Sequence, residues 1–222
     1  MIYCLLRVLG KQTIALLLIL FSLTPAYAGS VVIAALGDSL TQGYGLPREN
    51  GFVPQLETWL QDKGEDVSVL NAGVSGDTTA GGLSRIAWTL TPEVDALIVN
   101  LGGNDLLRGI DPVSSRSNLD NILKVATEKE LPVLVVGLVA PGNYGPEYKD
   151  AFDPIYQELS LKYETLLYRN FFTAIIESSG VQKPQHQFMQ SDGIHPNALG
   201  VSRVVNDIGP IVRKLVEKAR KN

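Results

Sequence analysis

The stretch Val31-Val32-Ile33-Ala34-Ala35-Leu36-Gly37-Asp38-Ser39-Leu40 is an unbroken apolar run that ends in glycine and then turns polar. A run of this length, rich in β-branched side chains and without polar alternation, fits a strand covered on both faces, as in a parallel sheet flanked by helices. Three further runs share this character, VSVL at 67–70, ALIVNL at 96–101 and VLVVGLV at 133–139, broken only by Ser68, Asn100 and Gly137. A weaker fifth strand is expected over Thr165 to Tyr168. Between the runs, apolar residues recur at helical spacing: Phe52, Leu56, Trp59 and Leu60, then Leu83, Ile86, Ala87 and Leu90, then Leu119, Ile122, Leu123 and Ala126. Trp59 and Trp88 are expected in the core or half-buried. A last helix within Asn197 to Glu217 would bury Val201, Val204, Val205, Ile208 and Leu215, with Gly209-Pro210 kinking or dividing it. Alternating strands and helices predict an α/β fold, a three-layer α/β/α sandwich with right-handed crossovers.

The chain has 222 residues, 45% hydrophobic and 19% charged, a balance that excludes a disordered tail or a coiled coil. Its 19 Lys plus Arg against 23 Asp plus Glu leave a net charge of −4, and no basic stripe is present, which argues against nucleic acid as partner. Cys4 is the single cysteine, so neither a disulfide framework nor a multi-thiolate zinc site is available. Arg7 and Lys11, the apolar stretch Thr13 to Leu23, Pro25 and then Ala26-Tyr27-Ala28 have the layout of a cleavable signal peptide over residues 1–28. Lys11 and Gln12 interrupt the run before it reaches the ~20 residues of a stable membrane anchor. The expected product is a single domain, residues 29–222, secreted and periplasmic. It would carry no thiol, which leaves serine or a carboxylate for covalent chemistry.

In open α/β sheets, ligands bind beyond the carboxyl ends of the strands. Three of these ends combine glycine with hydrogen-bonding groups: Gly37-Asp38-Ser39-Leu40, Asn71-Ala72-Gly73-Val74-Ser75-Gly76-Asp77 and Gly102-Gly103-Asn104-Asp105. Acyl transfer to a hydroxyl needs a nucleophile, a base, a group that orients the base, and oxyanion donors. Bases are scarce, because only His186 and His195 remain. His186 has no carboxylate at short spacing and reads as a surface residue. His195 follows Asp192 by three residues across Gly193, a spacing that lets the carboxylate reach Nδ1 while Nε2 points outward. The candidate roles are then Ser39 as nucleophile, His195 as base and Asp192 as its orienting partner. Ser39 N–H, Gly76 N–H and the Asn104 amide would hold the oxyanion, with no cofactor or metal required. Each residue also has a plain structural alternative. Ser39 fits a helix N-cap, Gly76 a turn, Asn104 a left-handed residue and His195 a cap for the helix begun at Asn197. The G-x-S-x-G elbow is absent, since Thr41 stands where its second glycine would be.

At these residues the sequence resembles the SGNH (GDSL-type) hydrolases, whose four blocks carry Ser, Gly, Asn and His. The blocks here are GDSL at Ser39, SGDT at Gly76, GGND at Asn104 and DGIHP at Asp192 and His195. It is most similar to the bacterial periplasmic branch of acyl-CoA thioesterases, lysophospholipases and arylesterases, because Asn143-Tyr144-Gly145 looks like that branch's substrate loop. The resemblance implies a flavodoxin-like parallel sheet of five strands in the order 2-1-3-4-5. It also implies hydrolysis of small acyl esters, thioesters or lysophospholipids by a monomer, with Asn143, Tyr144 and Ile194 at the substrate. Tyr148 and Phe152 could extend an apolar wall, although Phe152 reads better as core. Three alternatives stay open: a carbohydrate O-deacetylase of the same family, a non-catalytic periplasmic module binding acyl or glycan ligands, and a metal hydrolase using Asp38, Asp77, Asp105, Asp192 and His195. Nucleotide binding finds no support, since neither G-x-x-x-x-G-K-[ST] nor the dinucleotide glycine pattern occurs.

Overall fold

The computed structural model describes residues 29–176 and 186–221; the expected leader, residues 1–28, lies outside them. Five parallel strands, β1 (Val31–Gly37), β2 (Val67–Gly73), β3 (Ala96–Asn100), β4 (Val133–Val136) and β5 (Leu166–Tyr168), form one sheet in the order β2-β1-β3-β4-β5. The inner strands are buried along almost their whole length, which explains why their sequences show no alternation. Register then places the site. Gly37 stands opposite Gly73 on one side and Asn100 on the other, so the turns leaving β1, β2 and β3 emerge level with one another. Strand order reverses between β1 and β3, where an open sheet leaves a crevice.

The described helices are α1 (Ser39–Gln42), α2 (Phe52–Asp62), α3 (Thr79–Thr89), α4 (Gly103–Arg108), α5 (Pro112–Glu128), α6 (Pro146–Phe152), α7 (Ile155–Lys162) and α8 (Ala198–Ala219). The pairs α2 with α8 and α3 with α5 form the outer layers of the sandwich. Leu56 and Leu60 of α2, Ile122 of α5 and Ile208 of α8 are fully buried between helices and sheet.

Four details differ from the sequence expectations. β2 runs on to Gly73, and β4 stops pairing with β3 after Val135, although Leu138 and Ala140 stay buried beyond it. Trp88 is 84% exposed and Ala87 also faces out, because α3 buries Thr79, Gly82 and Ile86 and a residue two places after Ile86 lies on the far side of the helix. α8 is undivided, with Pro210 inside it. Pro210 sits on the exposed face, and the carbonyl it leaves unpaired belongs to exposed Asn206, where water can replace the lost donor.

Candidate active site

Asp38, the last residue before α1, caps that helix by accepting the Leu40 N–H (3.0 Å). Ser39 therefore begins the helix, and its own N–H has no intrahelical acceptor. Ser39 Oγ lies 2.8 Å from His195 Nε2, and His195 Nδ1 lies 2.7 Å from Asp192 Oδ2. The other Asp192 oxygen accepts the backbone N–H groups of Ile194 (2.9 Å) and His195 (3.0 Å). Burial would raise the Asp192 pKa, but the His195 backbone, its ring and the Ile194 N–H outweigh it and draw the carboxyl down to about 2. Asp192 is thus an anion at any working pH, held against the imidazole in a tight turn.

Two further elements meet here. Gly76 sits in the Val74–Asp77 turn with φ of 83°, a left-handed backbone that glycine adopts without strain. Its carbonyl accepts from Arg108 Nη2 (2.8 Å), which ties the turn to α4. Asn104, on the first turn of α4, is buried with Nδ2 3.4 Å from Asp38 Oδ2. Asp105 accepts from Thr79 N–H (2.9 Å), Thr79 Oγ1 (2.6 Å) and Ser115 Oγ (2.9 Å), which pins the start of α3 against α4 and α5. Asp77 is bound to Arg85 (2.7 Å). The carboxylates considered for a metal are thus engaged separately, and among the described residues no three His, Cys, Asp or Glu side chains group to hold an ion.

Beside Ser39 and His195 opens a cavity of about 460 Å³ that also reaches Asn104 and Ile194. Most of its wall is apolar, with Leu106, Leu138, Phe172, Ile176 and Met189 among the lining residues. Asn143 is exposed and does not line it; Tyr144 borders it from outside, donating its hydroxyl to the carbonyl of Leu107, a lining residue (3.1 Å). Phe152 is fully buried and His186 exposed.

The sequence reading passed over the lining at Leu138 to Pro141, which the strand-end rule applied to β4 would have located. It also missed Gln190. The Gln190 Nε2 donates to the carbonyls of Tyr44 (2.8 Å) and Pro196 (3.0 Å), and its backbone N–H to His195 O (2.8 Å). The histidine loop is thereby fastened to the chain just after α1, where the Tyr44 ring lies 4.8 Å from the imidazole. No local pattern marks that role.

A hydroxyl, an imidazole and a carboxylate in hydrogen-bonded series at the switch point of a parallel sheet form the arrangement that serine-type hydrolysis uses. The chain belongs to the GDSL-like lipase/acylhydrolase family, whose model matches residues 35–203, and it is a serine ester hydrolase of that family. It is 37% identical over 190 residues to Esterase TesA of Pseudomonas aeruginosa, covering 85% of this chain and 91% of that protein. It is 36% identical over 183 residues to thioesterase 1/protease 1/lysophospholipase L1 of Escherichia coli K12, covering 82% of each. The crystal structure of AlinE4, an SGNH-hydrolase family esterase, superposes with a TM-score of 0.68 at 41% identity, over 83% of this chain and 96% of that one.

Proposed function

We propose that the protein hydrolyses carboxylic esters and thioesters of apolar acyl groups through an acyl-enzyme on Ser39. The observation that carries this reading is the series Ser39 Oγ, His195 Nε2, His195 Nδ1, Asp192 Oδ2, with both spacings under 3 Å, next to an apolar cavity. His195 Nε2 takes the Ser39 proton as Oγ bonds to the acyl carbon, and the carbonyl π electrons move to oxygen. Ser39 N–H, Gly76 N–H and Asn104 Nδ2 stabilise that oxyanion, a donor of this kind being worth roughly 3 kcal/mol. The oxyanion collapses, the bond to the leaving oxygen or sulfur breaks, and His195 returns the proton to the leaving group. Water then repeats the sequence on the acyl-enzyme and frees the acid. Asp192 holds the ring orientation and balances its charge in both halves. The apolar lining favours an acyl chain over the acetyl group of a sugar, with Ile194 in contact with it and Tyr144 at the outer border.

Ser39→Ala is expected to keep the fold and lose nearly all turnover of a chromogenic ester, and a fluorophosphonate should label the peptide containing Ser39. Comparable turnover at equal folded concentration would overturn the nucleophile assignment.

Within the same reading, residues 29–222 form one hydrolase domain that works as a monomer, and residues 1–28 direct it to the periplasm and are removed. Among the described residues no helix is long and apolar enough to cross a membrane. Amino-terminal sequencing of the exported protein should begin at Gly29; a start at Met1 in that fraction would contradict the leader.

A further inference from the structure

Arg85 belongs to none of the four sequence blocks, yet its guanidinium reaches three segments that build the site. From α3 it donates Nη2 to the carbonyl of Gly37 (2.8 Å), the end of β1, two residues before Ser39. Nη1 donates to the carbonyl of Ala72 (2.6 Å), at the end of β2, where the chain leads to Gly76. Nε donates to Asp77 Oδ2 (2.7 Å), the residue after Gly76. The Gly37 carbonyl also accepts the Val74 N–H (3.0 Å), and Asp77 N–H donates back to Val74 O (3.0 Å), so the turn around Gly76 is closed on both sides of the guanidinium. The side chain is only 22% exposed.

We propose that Arg85 is a positioning residue that holds the nucleophile and the Gly76 oxyanion donor at the separation the tetrahedral intermediate needs. The inference rests on the proposed function. Three acceptors lie in different directions around one planar group, which a five-donor fork can satisfy and a single ammonium cannot. Without the fork, the ends of β1 and β2 remain paired and Val74 N–H still reaches the Gly37 carbonyl, but the side of the turn at Asp77, next to Gly76, loses its bridge to Gly37 and Ala72. A donor misplaced by an ångström can cost about a hundredfold in rate. Arg85 does not line the cavity, so substrate affinity should be spared.

The test compares wild type, Arg85→Lys, Arg85→Ala and Ser39→Ala in one chromogenic ester assay, with near-ultraviolet circular dichroism and thermal unfolding to verify the fold. Both Arg85 variants should lose kcat roughly 10- to 100-fold, with KM within about twofold of wild type. Low-millimolar guanidinium should restore part of kcat to Arg85→Ala, whereas ammonium should not. The inference is overturned if folded variants keep wild-type kcat, if KM rises while kcat holds, or if guanidinium rescues nothing. It is also overturned if neither variant folds, because Arg85 then serves the fold and not the site. Activity remaining in Ser39→Ala would instead remove the site reading itself, whatever the Arg85 variants do.

Discussion

Asp38 and Asp192 are two carboxyls close to one imidazole, and their surroundings push them in opposite directions. Asp192 is drawn down to about 2 by the hydrogen bonds it accepts. Asp38 is 2% exposed, and burial raises it from 3.8 to about 6, against the pull of Leu40 N–H, the His195 charge and the Asn104 amide. The two have opposite consequences for stability. Asp38, with its raised pKa, contributes stability that is complete below 3.8 and is lost as pH rises through about 6. Asp192, with its lowered pKa, contributes stability present above 3.8 and lost as pH falls toward about 2. Ionising Asp38 in place therefore costs on the order of 3 kcal/mol. Asp38→Asn cannot ionise, so its Tm relative to wild type should improve between pH 4.5 and pH 8. Paired thermal melts check this; a difference that stays constant over that range would show that Asp38 is not held up by burial. The chemistry at this scale was legible in the blocks around Ser39, Asn104 and His195, because residue type limits what a side chain can do. The Asn104 partner of Asp38 and the Thr79 partner of Asp105 were not legible, since they lie far away in sequence.

At the scale of elements, α8 shows packing overriding local preference. A proline inside a helix normally costs about 3 kcal/mol, yet the helix runs through Pro210 because Val204, Val205, Ile208, Val212 and Leu215 all lie buried along one face. The neighbouring Gly209 has its own reason: a Cβ there would come 2.6 Å from the Trp59 ring, whose Nε1 donates to Asn206 Oδ1 (3.0 Å). Gly209 thus lets α2 and α8 approach, while Pro210 is exposed. Pro210→Ala should therefore raise stability by about 1 to 3 kcal/mol in urea unfolding. A destabilised variant would mean that the ring performs a packing role the structure does not reveal. The strands show the converse case. Their existence was readable from apolar runs, because burial on two faces removes alternation. Their ends were not, because β2 and β4 stop where pairing with a neighbour stops.

The cavity beside Ser39 belongs to the molecule as a whole. Leu106 comes from α4, Leu138 from the chain beyond β4, Phe172 and Ile176 from the chain beyond β5, and Met189 and Ile194 from the histidine loop. Filling it should change chain-length preference without touching the chemistry. In Leu138→Trp, kcat/KM for an octanoate ester should fall at least about tenfold relative to an acetate ester, since each methylene excluded from apolar surroundings is worth ~0.8 kcal/mol. Equal losses on the two esters would show that the chain binds elsewhere. The apolar runs and the residue types in the four blocks were enough to read the parallel sheet and the kind of chemistry, because strand burial and side-chain type are local properties. Folding alone brings Ser39 and His195, 156 positions apart, to 2.8 Å from one another, sets Arg85 and Gln190 against the segments around them, and opens a cavity beside them. Those are relations between distant segments, created when the sheet aligns its strand ends and the helices close over it.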